Sequence, residues 1–157
     1  MFPFSDADTV ALRRPWVNLS LITICCLTFV YEMFVSRLAI VGGGENLDIT
    51  LLFFKLGFIP AEITSGQEFT VVRNLFYDLN IKSPVHNYLT LVTSLFLHGG
   101  LMHLVGNMMF LWVFGDNIEN HLGHIKYLCF YLMAGLVATF SHWAFDPSSE
   151  IPLIGAS

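Results

Sequence analysis

Charged side chains make up only 12% of the 157 residues, about half the share expected of a soluble domain. With 55% hydrophobic residues and a mean hydropathy of +0.65, the chain lacks the polar groups needed to clothe a water-soluble globule of this size. That scarcity argues against both a soluble enzyme and a disordered chain. Basic residues are few: seven Lys and Arg against twelve Asp and Glu give a formal charge of −5, which argues against a nucleic-acid partner. Cysteines are few as well. Cys25, Cys26 and Cys129 all lie in apolar runs, at spacings that suit neither a metal site nor a disulfide framework, and they are expected to be reduced, packed thiols. The sequence contains no repeat, no low-complexity tract and no His-Glu-x-x-His zinc signature. What remains is a membrane protein.

A spanning helix needs about 20 mostly apolar residues to cross a hydrocarbon core about 30 Å thick. Three stretches meet that need. Residues 17–35 contain Glu32 as their only charge, and residues 127–145 contain none. The third lies within residues 83–115, which are also free of Asp, Glu, Lys and Arg. As a single helix that stretch would reach about 50 Å, and it is interrupted by His98-Gly99-Gly100. Paired glycines break or redirect a helix. Residues 88–97 are therefore expected to form a buried or interfacial segment, and residues 101–118 the true span. Trp16, Trp112 and Trp143 fall near span ends, where aromatic belts sit. Arg13 and Arg14 before the first apolar run also suit a signal peptide, but that run is long for one and lacks a clean small-x-small cleavage site.

Residues 36–87 form a long loop that mixes polar stretches (Gly42-Gly43-Gly44-Glu45-Asn46) with apolar ones (residues 51–58, Ile63). The mix suits short amphipathic helices on the bilayer surface, or a loop packed over the top of the bundle, and the two are compatible. Arg13 and Arg14 crowd the first span, whereas Arg37, Lys55, Arg73 and Lys82 are spread along the loop. That asymmetry places the N-terminus in the cytoplasm.

Strongly polar groups inside a span are costly, so each one is a functional hypothesis. His103 and Asn107 lie four residues apart in the second span, hence on one helix face, and His98 stands just before them. Counting crossings, the second span starts on the loop side and the third returns to it. Residues 146–157 then share that side with His103 and Asn107. Amide and imidazole N–H groups converging near a serine hydroxyl are what acyl transfer requires: a nucleophile and an oxyanion hole. The small residues of Gly155-Ala156-Ser157 would let a substrate backbone approach, and a helix starting at Ser157 would add backbone donors. His and Asn in a membrane helix also serve simply as bonds to neighbouring helices, and spacing alone does not separate the two uses.

The run Thr93-Ser94-Leu95-Phe96-Leu97-His98-Gly99-Gly100-Leu101-Met102-His103-Leu104-Val105-Gly106-Asn107-Met108 closely resembles the second-helix signature of the rhomboid intramembrane serine proteases. Phe114-Gly115-Asp116-Asn117-Ile118-Glu119 with Leu122-Gly123 is similar too, as are Leu56-Gly57-Phe58-Ile59-Pro60-Ala61 and the closing Ile154-Gly155-Ala156-Ser157. The similarity runs from about Leu51 to the last residue. It implies an all-α membrane protein: a polytopic helical bundle of the rhomboid type, of which this chain supplies the first three transmembrane helices and the start of the fourth.

On that reading residues 1–16 are a cytoplasmic segment and residues 17–157 a partial rhomboid domain. Its spans are expected at about 17–35, 101–118 and 125–145, with the long loop at 36–100, a loop at 146–156 and the fourth helix starting at 157. The resemblance implies that Ser157 is the nucleophile, that Asn107 and His103 line the oxyanion hole with the Ser157 backbone N–H, and that His98 braces the first loop. It further implies that Glu119 ties the inner helix ends together and that Gly155 belongs to the nucleophile motif. It implies neither metal nor cofactor. The partners would be single-span membrane protein substrates, cut near the outer boundary of a bacterial plasma membrane; oligomeric state is not legible.

The family's general base is a histidine on the sixth helix, and this sequence stops at Ser157. A serine hydroxyl is a weak nucleophile without a base. His86 lies in the loop, His121 and His124 fall on the opposite face, and His142, near the outer end of the third span, is expected to pack or bond to a neighbouring helix. The 157 residues alone are therefore expected to be inactive, and downstream helices to restore cleavage. Three competing readings stand beside this one. A non-catalytic relative would bind membrane substrates. A bis-histidine haem protein would loosely use His103 and His142. A structural subunit would pack through Ala134, Gly135, Ala138 and Thr139.

Overall fold

A computed structural model describes residues 14–44, 46–73 and 78–155. Helix α1 spans Trp16–Val35 and, at 20 residues, is about 30 Å long. Its buried residues are Asn18, Leu21, Cys25, Phe29 and Glu32. Steps of three and four residues place them on one stripe. The two polar members sit at opposite ends of that stripe, and each anchors a different part of the bundle.

The chain leaves α1 at Ser36 through Arg37 and Leu38, both with positive φ (51° and 70°), and a 3₁₀ turn at Ala39–Gly42. Asn46 then caps helix α2 (Leu47–Leu56): its side chain accepts from Ile49 N–H at 3.0 Å and donates to the Ser36 carbonyl at 2.8 Å. Helix α3 (Pro60–Ser65) starts with a proline in its first turn, where the missing N–H costs nothing. A short antiparallel ribbon follows, β1 (Val71–Arg73) with β2 (Asp78–Asn80), in the register Val71 opposite Asn80. This ribbon inside an otherwise helical chain was not expected from the sequence.

Helix α4 (Asn87–Thr93) and a 3₁₀ turn (Ser94–Phe96) lead to the glycine pair, and the path then bends by 84° into helix α5 (Leu101–Phe110). A π-helical turn at Leu111–Gly115 continues without a break into helix α6 (Asp116–Leu122). Gly123, at φ 80°, turns the chain back into helix α7 (His124–Phe145). Helices α1 and α7 are long and apolar enough to cross a membrane, and the bent pair from Asn87 to Leu122 adds a third span if counted as one. The architecture is an all-α membrane bundle with a small ribbon in its long loop.

The main core joins Cys25 and Phe29 of α1 to Ile40, Ile49, Phe53, Leu97 and Leu104. It therefore sits at the loop end, beneath the turn that carries His98. Helix α7 packs along one edge. Gly135 and Thr139 are buried there, with Leu95 filling the space a Gly135 side chain would need, while Ala134 and Ala138 of the same small-residue group stay exposed. The cysteines need a correction. All three are free thiols, but only Cys25 is buried, and Cys26 and Cys129 are exposed on α1 and α7. Their apolar runs face lipid as well as core, and both environments favour the same residue types.

Candidate active site

The turn between α4 and α5 is held from below by α1. Glu32, fully buried, accepts the backbone N–H of His98 on both carboxylate oxygens, at 3.1 and 3.3 Å. His98 Nδ1 donates to the Phe96 carbonyl at 3.0 Å. The His98 ring meets the His103 ring edge-on, with centres 5.3 Å apart and planes inclined at 65°.

One turn beyond His103 on α5, Asn107 lines a cavity of about 230 Å³ together with Cys25, Leu95, His98, Met108 and Tyr131. Its Nδ2 is buried and has no hydrogen-bond partner among the described residues. A buried donor left unpaired costs roughly 1–3 kcal/mol, and a ligand oxygen in the cavity would recover that cost.

Residues 146–155 are laced to this end of the bundle. Phe58 and Leu153 exchange backbone hydrogen bonds at 3.1 and 2.7 Å, and Ala61 N–H donates to the Ser149 carbonyl at 3.0 Å. The Thr64 hydroxyl donates to the Pro147 carbonyl at 2.6 Å and accepts from Trp143 Nε1 at 3.0 Å. Thr93 reaches back from α4 to the Leu56 carbonyl at 2.7 Å. The long loop is thus packed over the bundle end and holds the segment after α7 in place. That segment delivers Gly155, whose N–H donates to the Ser94 carbonyl at 2.8 Å. At φ +88°, Gly155 lies against His103: an added Cβ would stand 2.5 Å from Cε1 and 2.6 Å from Nε2. His98, His103, Asn107 and Gly155 are therefore brought together. Ala156 and Ser157 lie outside the described residues.

Glu119 sits at the opposite end. It is buried at the end of the α6 path and accepts the N–H groups of Val17 (2.9 Å) and Asn18 (2.7 Å), two of the free donors at the start of α1. His124 Nδ1 bonds to it as well. Asn18 extends the knot, donating to the Leu111 carbonyl at 2.9 Å and accepting from the Tyr127 hydroxyl at 2.9 Å. Gly115 is tight against both Asn18 and Tyr127.

The other histidines stand apart from the site. His86 stacks on Tyr88, while His121 and His142 are exposed on α6 and α7. His142 is exposed near the end of α7, where it was expected to pack or bond to a neighbouring helix. No cluster of three His, Cys, Asp or Glu side chains suited to a metal occurs among the described residues. Sequence reasoning assigned no role to Glu32, Ser94 or Asn18. For Glu32 a signal existed, since a lone carboxylate in an apolar run must find a partner.

The model of the rhomboid domain matches residues 85–157. Over those residues the chain is similar to the rhomboid family. The matched stretch includes the His98–Asn107 signature but not Leu56–Ala61, where a resemblance was also read. Among curated proteins, the mitochondrial presenilin-associated rhomboid-like protein A of Danio rerio is 37% identical over 71 residues, covering 44% of this chain and 18% of that protein. Rhomboid protease GluP of Bacillus subtilis (strain 168) is 36% identical over 67 residues, 43% of this chain and 13% of the relative. RHOMBOID-like protein 5 of Arabidopsis thaliana is 31% identical over 67 residues, 43% of this chain and 22% of the relative. The aligned stretch is thus less than a quarter of each relative's length. No solved structure matches the chain.

Proposed function

We propose that the protein is an intramembrane serine endopeptidase that cleaves single-span membrane protein substrates near the outer membrane boundary. Ser157 is the nucleophile in this reading, and its Oγ attacks the scissile carbonyl as a base removes its proton. The Asn107 amide, the His103 ring and the Ser157 backbone N–H stabilise the oxyanion that forms. The same base then protonates the leaving amine, and water releases the acyl group. The base in this reading is a histidine lying beyond residue 157, as the resemblance to the rhomboid proteases implies.

One observation carries this reading: the contact of Gly155 with the His103 ring. Gly155 stands two residues before Ser157 in the sequence. The unpaired Asn107 amide in that cavity supplies a donor of the kind an oxyanion needs. The apolar helices and the family match make this an integral membrane protein. We place its N-terminal end in the cytoplasm, on the density of Arg13 and Arg14.

The test is co-expression of the full-length gene product with a tagged single-span reporter. The expected result is a cleaved reporter with wild-type protein and an intact one with Ser157→Ala. Cleavage that survives Ser157→Ala would remove the serine from the mechanism. Capture of an intact reporter by wild-type protein would make the protein a non-catalytic binder.

A further inference from the structure

We propose that Glu32 is a positioning residue for the oxyanion site; the inference rests on the protease reading of that site. His103 and Asn107 ride on α5, whose start is set by the turn at residues 97–100. Glycines at 99 and 100 give that turn little stiffness of its own. Its backbone is fixed from two sides. Glu32, sixty-six residues earlier in sequence, takes the His98 N–H on both carboxylate oxygens. The His98 ring then ties back to Phe96 and presses edge-on against His103.

A fully buried carboxylate in a spanning helix is costly to insert. Packing does not require it, because a leucine or methionine would fill the same volume. What an apolar side chain cannot do is accept a backbone N–H that no helix or strand satisfies. Glu32 meets that need at the turn directly preceding the helix that presents the oxyanion donors. On the next turn of α1, Ser36 extends the anchor outward: its carbonyl holds Asn46, the cap of α2. The contact between α1 and the turn therefore sets the position of α5 relative to the loop and to Gly155. A shift of the turn moves His103 and Asn107 together, and placement errors near 1 Å can cost a hundredfold in rate.

The experiment uses the full-length protein in lipid, as wild type, Glu32→Gln, Glu32→Ala and Glu32→Asp. Two readouts are followed: amide exchange of the segment 97–104, and kcat and KM on a single-span reporter. Glu32→Ala should exchange at least tenfold faster there and lose roughly ten- to hundredfold in kcat, with KM within about twofold. Glu32→Gln keeps an acceptor oxygen and should recover most of both. Glu32→Asp keeps the charge but withdraws it by one methylene, so it should resemble Glu32→Ala and serves if the alanine variant fails to fold. Wild-type exchange and kcat in Glu32→Asp would overturn the proposal. So would equal losses in the Gln and Asp variants, since the acceptor would then not be the feature that matters. If the wild-type protein cleaves no reporter, the protease reading falls, and exchange at 97–104 still decides whether Glu32 holds the turn.

Discussion

Gly155 lies so close to the His103 imidazole that no side chain fits between them: an added Cβ would stand 2.5 Å from Cε1 and 2.6 Å from Nε2. The contact joins the segment after α7 to the helix carrying Asn107. Gly155→Ala must push the ring aside or lift the chain away from it. Reporter cleavage should fall at least tenfold, in keeping with the cost of small misplacements at a reacting centre. Gly66→Ala is the matched control. Gly66 also has positive φ (+67°) but has nothing within 4 Å of the added atom. It should cost about 1 kcal/mol in stability and leave kcat/KM unchanged. Equal activity in the two variants would show that the His103 contact has no functional weight.

Glu119 accepts two backbone N–H groups at the start of α1, so removing it strands one buried and one half-buried donor at once. Glu119→Ala should destabilise the protein by roughly 1–3 kcal/mol, the cost of leaving a buried donor unpaired. Glu119→Gln keeps an acceptor oxygen and should lose less than half of that. Equilibrium unfolding in mild detergent measures both. A Glu119→Ala protein as stable as wild type would mean that the start of α1 is held by packing alone.

Much of this arrangement could be read from residue order. The apolar runs at 17–35 and 127–145 lie on α1 and α7, and His98-Gly99-Gly100 marks the 84° bend. Counting crossings put the segment after α7 on the same side as His103, and Gly155 meets that ring. Long-range pairing was not legible. A lone Glu in an apolar run says that a partner exists, not that it is a backbone N–H sixty-six residues away. The roles of Asn18 and Ser94 were hidden for the same reason. Lipid-facing and core-facing cysteines look alike in sequence because hydrocarbon surrounds both. The ribbon in the long loop has three residues per strand, too few for an alternating pattern to show.

Glu62, in α3 of the long loop, accepts the Phe69 N–H at 2.7 Å and is buried. Burial raises its pKa above the ordinary carboxylate value; the Phe69 N–H opposes that shift, and nearby Glu68 adds to it. The folded loop therefore binds a proton more readily than the unfolded chain. Its stability is greatest below the unfolded Glu pKa of about 4.3 and falls as pH rises through the folded value. Glu62→Gln imitates the protonated form. Limited proteolysis of the loop should show wild type and variant alike at low pH, with wild type nicked progressively faster than the variant as pH rises. A constant ratio across that range would mean that Glu62 does not titrate with the fold.

Leu95 and Gly135 form a close fit between the bent pair and α7. A Cβ on Gly135 would lie 2.7 and 2.8 Å from the two Leu95 methyl carbons, and Leu95 is itself fully buried. Gly135→Ala should therefore overpack the contact and cost about 1–3 kcal/mol, although alanine is the better helix former. Leu95→Ala should cost about 2–5 kcal/mol through the cavity it leaves. The two changes compensate, because the alanine methyl at 135 enters space vacated by the leucine. The double variant should be more stable than the sum of the single effects by at least about 1 kcal/mol, the non-additivity expected of side chains in direct contact. Unfolding of all four proteins in the same detergent gives the coupling. A coupling of zero would mean that α7 does not seat on Leu95 in the folded protein, and the placement of the segment that follows α7 would lose its support.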